Sequence, residues 1–195
     1  MSESRPLVLF YDYVDPASFV LELRLRERGY LPGSNLQPLP LEVNPPHHPL
    51  LDPDEREWKA HWARTMTEAQ TLGLAFTPPW IVPWTRKAHE LVYFAAERNR
   101  PLEIHEALFR AYLEDGLDIG RVDVLVALGE KHGLDGLEAK AALDVDKYGG
   151  AVQAIRSSAM REGVLRPTTL RWNGRTLHGS PTPEVLDEFL ATEGH

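Results

Sequence analysis

The stretch "YDYVDPASFV", residues 11–20, joins two kinds of pattern and decides how the rest of the chain is read. The run before and into it, "PLVLFYDY", is short, apolar and aromatic, as a buried strand requires. The run that follows, "DPASFVLELRLRERG", supplies a side-chain acceptor at Asp15, a proline suited to the first helical position at Pro16, and Gly29 at the exit. A strand that passes directly into a capped helix is a β-α unit. "NLQPLPLEV", residues 35–43, reads as a second strand whose prolines suit a sheet edge. A parallel β-α-β opening is the simplest arrangement of these three elements.

Beyond the Pro-rich "NPPHHPLLDPDE" the strand pattern stops. A helix is expected around Asp54 to Leu72, with acids early and Gly73 after it. "TRKAHELVYFAAERN", "PLEIHEALFRAYLEDG", "RVDVLVALGEKHG" and "GLEAKAALD" each carry helical periodicity with terminal Gly or Asn signals. A further helix is expected near Lys147 to Glu162. In "PTTLRWNGRTLHG" two short strands flank the turn pair Asn173-Gly174, a hairpin signal. "TPEVLDEFLATE" reads as a closing amphipathic helix. The expected architecture is α/β: a discontinuous domain of residues 1–49 and 146–195, with an inserted helical domain over 50–145.

The chain of 195 residues has no cysteine, which removes disulfides, thiolate metal sites and any dithiol carried by the protein itself. Its formal net charge of -8 disfavours nucleic-acid phosphates and anionic lipid as partners. No apolar run has the length of a membrane span or the form of a secretory leader, so the expected location is cytoplasmic. Arg24, Arg26 and Arg28 read as solvated helix surface. The histidines, among them the adjacent His47 and His48, make no recognised metal signature, and no metal site is expected.

Taken in order, "YDYVDPAS", "TRKAHELVYFA", "EALFRAYLEDGLDIGRVDVLVALGEKHGLD", "GVLRPTT" and "HGSPTPEVL" resemble the DsbA-related thioredoxin superfamily, in particular its FrnE-like branch. The chain is more distantly similar to 2-hydroxychromene-2-carboxylate isomerase and kappa-class glutathione transferases. The resemblance covers nearly the whole chain and implies a thioredoxin-like fold with a helical insertion. In redox members the tetrapeptide at Asp15, Pro16, Ala17 and Ser18 is C-x-x-C, so Asp15 and Ser18 are the positions equivalent to the catalytic pair. "GVLRPTT" matches the segment that bears a cis-proline, which implies a cis bond before Pro167 and a ligand-pairing backbone at Arg166. From that placement Asp15 and Arg166 are expected to face one another as a charge pair. In the glutathione-using branches a serine stands where Asp15 stands, and an acid follows the position of Ser180, where this chain has Pro181.

Each candidate has a plainer structural reading. Asp15 followed by Pro16 is a favoured helix start in its own right, contributing about 1 kcal/mol. Ser18 supports the first turn, and His89 packs or hydrogen-bonds inside the fold. Most of Trp58, Trp62, Phe76, Trp80 and Trp84 are core, while the Pro-rich "FTPPWIVPWT" makes Trp80 and Trp84 the better candidates for lining a ligand pocket. Two function classes follow. One is a cysteine-less relative of disulfide oxidoreductases that binds a peptide or small molecule in an inter-domain groove through Arg166, Pro167, Trp80 and Trp84, without a cofactor of its own. The other is an isomerase or transferase that borrows the thiol of glutathione. An exposed apolar face would instead serve a homodimer.

Overall fold

The computed structural model describes residues 6–191. Four strands form one sheet in the order β2-β1-β3-β4. Strands β1 (Leu7–Tyr11) and β2 (Leu36–Pro40) pair parallel, joined by helix α1 (Pro16–Glu27), as a β-α-β opening requires. Pro38 and Pro40 lie on β2, the edge strand, where a missing N–H breaks no central ladder. Strands β3 (Thr169–Trp172) and β4 (Arg175–His178) form the hairpin, and β3 runs antiparallel to β1. Asn173 and Gly174 turn it with φ of 48° and 76°, values a Gly and an Asn tolerate best.

Five helices follow β2 in the chain: α2 (Arg56–Thr71), α3 (Arg86–Ala96), α4 (Pro101–Leu113), α5 (Val122–Lys131) and α6 (Gly136–Asp144). Helix α7 (Gly149–Arg161) then precedes the hairpin and α8 (Pro183–Ala191) closes the described chain. The expected continuation of the last helix into Thr192 and Glu193 lies outside the described residues, as do the ends of the expected sheet domain.

The alternation along β1 sends its residues to two different layers. Leu7, Leu9 and Tyr11 join the large apolar cluster that includes Phe19, Leu21, Leu25, Phe94, Phe109 and Leu186. Phe10 faces the other way, onto Leu41, Ala159 and Val164, so α7 covers the second face. The large cluster runs without interruption from the sheet into α3, α4, α5 and α6.

Helix α1 is sandwiched rather than peripheral, and this corrects the expectation for its arginines. Arg24 is buried and donates to the carbonyl of Pro181 at 2.9 Å. Arg26 is half-buried and bridges Glu22 and Glu106, at 2.5 and 3.0 Å. Arg28 is as exposed as Arg26 and pairs with Asp187 at 2.5 Å. A helix that packs against the sheet on one side and against α2 on another leaves little of its circumference to water. The long arginine stems therefore follow the buried surface and end on acceptors. Among the described residues no helix is long and apolar enough to cross a membrane.

Candidate functional site

The site forms where α1 begins. Asp15 caps the helix: it holds an extended backbone and its Oδ1 accepts the N–H of Ala17 at 3.1 Å. The same Oδ1 accepts from His61 Nε2 of α2 at 2.7 Å, and Oδ2 accepts from the Thr168 hydroxyl at 2.6 Å. The carboxylate is thus buried and held by one backbone donor and two close side-chain donors, with the Ser18 hydroxyl a longer third at 3.4 Å. A carboxylate has only acceptors, so His61 must carry its hydrogen on Nε2.

Ser18 belongs to the same network and not to the surface. Its hydroxyl lies 2.8 Å from Thr168 Oγ1 and accepts from the Asp12 N–H at 3.3 Å. Thr168 spends its single hydrogen on Asp15, so Ser18 donates to Thr168 at the shorter distance, with Asp15 Oδ2 a second acceptor at 3.4 Å, and the chain of donors runs Asp12 N–H, Ser18, Thr168, Asp15. Ser18 is fully buried and committed in both directions, which makes it a poor nucleophile. Thr168 sits at φ 30°, in the left-handed region that a β-branched residue avoids. Its two hydroxyl contacts and the bond from Gly179 N–H to its carbonyl, at 2.7 Å, offset that strain.

Above these residues opens a cavity of about 510 Å³. Its lining brings together Asp15, Trp58, His61 and Arg64 with Arg166 and Pro167. The ring of Trp58 stands 5.7 Å from that of His61, one turn away on α2. Asp52, Glu55 and Glu57 place acids on the same wall. Arg64 and Arg166 are exposed, and neither guanidinium makes a hydrogen bond or ion pair to another described residue; the Arg166 carbonyl accepts from the Thr169 hydroxyl at 2.9 Å.

Arg166 and Pro167 therefore share a cavity with Asp15, but three expectations need correction. The bond before Pro167 is trans, since no described peptide is cis; the turn into β3 is made by the φ of Thr168. Asp15 and Arg166 form no ion pair, because Ala17, His61 and Thr168 already occupy the carboxylate. Trp80 and Trp84 do not line this cavity. Both rings lie on the surface, 65% and 41% exposed, with their N–H groups donated to the carbonyls of Gly116 and His48. The proline-rich segment instead turns Phe76, Val82 and Pro83 inward and leaves the two indoles outside. Sequence reasoning missed Thr168, His61 and Arg64 as site residues and placed Trp58 with the core aromatics. The spacing Trp58, His61, Arg64, one helical turn apart, marks one face of α2 and was the available signal.

His89 finds its partner inside: Nε2 lies 3.1 Å from Asp12 Oδ1, and both side chains are fully buried. A second buried imidazole, His105, links Tyr13 at 3.0 Å to Glu22 at 2.8 Å. Burial, with the Tyr13 hydrogen bond opposing it, pushes Tyr11 far above the usual phenol range, and burial does the same to Tyr13. Burial also pushes Glu22 upward, yet His105 and Arg26 outweigh it and hold that carboxyl below its ordinary value. No cluster of metal-ligating side chains occurs among the described residues.

Comparison with known proteins matches this architecture to one family. A curated relative, the uncharacterized protein YwbO of Bacillus subtilis, is 27% identical over 190 residues and covers 95% of each chain. Among solved structures, a probable DsbA oxidoreductase, SCO1869 from Streptomyces coelicolor, superposes with a TM-score of 0.79 at 20% identity over 95% of this chain and 88% of its own. A 2-hydroxychromene-2-carboxylate isomerase superposes with a TM-score of 0.75 at 14% identity over 94% and 93%. The model of the DSBA-like thioredoxin domain matches residues 7–191, and the chain belongs to that family.

Proposed function

We propose that this protein is a DsbA-family member that works without thiol chemistry of its own and binds a small organic molecule or a short peptide in the groove at the start of α1. The observation that carries this reading is the state of Asp15. It stands where redox relatives keep the attacking sulfur, and its two oxygens are taken up by Ala17, His61 and Thr168. The end of the helix that would stabilise a thiolate is filled by a carboxylate of the chain itself. The cavity beside it, with an indole, two imidazoles and charges of both signs, has the composition of a small-molecule site.

Insulin reduction by the purified protein tests the first half: the rate should equal that of a no-protein control, because no sulfur is available to form the mixed disulfide. Turnover above that control, in material free of thioredoxin, would overturn it. A second reading, in which glutathione supplies the missing thiol, is favoured by Arg64 and Arg166, two guanidiniums suited to the carboxylates of a tripeptide. Asp15 opposes it by placing like charge where the thiolate would sit. Calorimetric titration with glutathione and S-methylglutathione separates the two readings. Equal binding of both, unchanged in Asp15→Asn, supports a groove that ignores the thiol. Glutathione affinity that rises in Asp15→Asn supports a thiolate site that the natural chain keeps weak.

A further inference from the structure

We propose that Asp15 and His61 form a general-base dyad that activates water against an acyl ligand whose carboxylate is held by Arg64 and Arg166. The proposal rests on the groove reading above and adds a reaction to it. His61 Nε2–H is committed to Asp15 at 2.7 Å, so the lone pair of the ring lies on Nδ1. Nδ1 makes no hydrogen bond to a described residue. The side chain of His61 is 29% exposed, against 7% for Asp15, and it lines the cavity. This is an imidazole with its tautomer and orientation set by a buried carboxylate and its basic nitrogen left available, the arrangement that general-base catalysis needs.

The nucleophile must come from outside the chain. Ser18 and Thr168 are hydrogen-bonded to one another and lie on the side of Oδ2, away from the oxygen that His61 holds. Water is then the species to be deprotonated. In the step, a water oxygen attacks the acyl carbon while its proton passes to His61 Nδ1, and the carbonyl π electrons move onto oxygen. Collapse of that tetrahedral species expels the alcohol oxygen, which takes the proton back from Nδ1. Ester and water become acid and alcohol, with no oxidant or reductant. Asp15 acts on the step through His61 and is a positioning residue. The two guanidiniums in the cavity wall that lack a carboxylate partner among the described residues select a substrate with a carboxylate of its own.

The test is the hydrolysis of the mono-p-nitrophenyl ester of glutarate by the full chain, with p-nitrophenyl acetate as the ester that lacks a carboxylate. His61→Asn should lower turnover of the glutarate ester by about 100-fold, the usual size of a general-base contribution. Asp15→Asn keeps a helix cap and should lower kcat while leaving KM unchanged, a split that loss of folding would not produce. Arg64→Gln and Arg166→Gln should raise KM for the glutarate ester and leave the acetate ester unaffected. Equal turnover by His61→Asn and the natural chain overturns the dyad. Equal KM for both esters in the natural chain overturns the carboxylate assignment. Binding of glutarate itself, followed by calorimetry, reports separately on the groove: binding without hydrolysis refutes the dyad and leaves the groove reading standing, and absence of both refutes the two together.

Discussion

Asp12 and Asp15 stand three residues apart, and each accepts a hydrogen from an imidazole, yet the two pairs belong to different regions of the molecule. Asp12 directly follows β1 and is fully buried. Its oxygens take the N–H groups of Tyr13 at 2.8 Å and Val43 at 2.6 Å as well as His89. Neither Asp12 nor His89 meets solvent. Asp15 caps α1 beneath an open cavity, and its imidazole partner lies in the wall. The bonding is alike, and access differs. Pairing a histidine with a carboxylate fixes a tautomer in either place, but His89 is fully buried beside a small cavity of about 210 Å³, whereas His61 is partly exposed in a ligand-sized one of about 510 Å³ and has room to pass a proton to a bound molecule. The Asp12 pair ties a strand end to a loop and a helix; the Asp15 pair points at the groove.

That contrast breaks most visibly at the sealed pair. Asp12→Ala leaves two backbone N–H groups and a ring N–H buried without an acceptor, and should cost about 4 kcal/mol in urea unfolding. His105→Ala, which strips one partner from the buried Glu22, should cost about 3 kcal/mol by the same measurement. Loss of only a few tenths in either variant would show that the interior relaxes around the gap, and the distinction between sealed and open pairs would fail.

The pH dependence sharpens the point. Glu22 is held below its ordinary value in the folded chain, so it contributes stability that is fully present above the unfolded value, about 4.3, and lost as pH falls through the lower folded one. Unfolding free energy measured from neutral pH into the acid range should fall along that limb, and Glu22→Gln should fall less steeply. A parallel decline in both would show that Glu22 is not the group responsible.

Smaller effects are expected nearer the groove. Ser18→Ala removes a buried hydroxyl but leaves Thr168 able to reach Asp15, and should cost about 1 kcal/mol. His61→Asn breaks a partly exposed pair and should change stability by less than about 1 kcal/mol while abolishing any chemistry that depends on the imidazole. A cost as large as that of Asp12→Ala would mark His61 as a structural residue like His89.

Much of this was legible because the signals were local. The strand and cap at Tyr11 to Pro16, the edge prolines of β2, the run of helices and the Asn173-Gly174 hairpin all follow from patterns a few residues long, set by backbone sterics and by the period of apolar side chains. Asp15 is a helix cap in the structure, as its sequence neighbours imply. The burial of Arg24 was not legible, because the groups it meets, Glu68 of α2 and the carbonyl of Pro181, lie 44 and 157 residues away in the chain. Nor was the place of Trp80 and Trp84, since a proline-rich run has the same local look inside a cleft and along a surface.

The sequence by itself determined the order of elements and the absence of any thiol, which is a matter of composition and short-range pattern. It also determined that a carboxylate would sit at the start of α1, because an Asp-Pro pair in front of an apolar helix has few other stable uses. Only the tertiary structure decided what that carboxylate does. Its partners, His61 and Thr168, are 46 and 153 residues away along the chain, and their approach depends on how α2 and the entry to β3 pack against α1. The same packing closed Ser18 off, left Arg166 without the partner expected for it, and opened the space beside His61. Contacts of that span are set by the shape of the whole core, which no short pattern records.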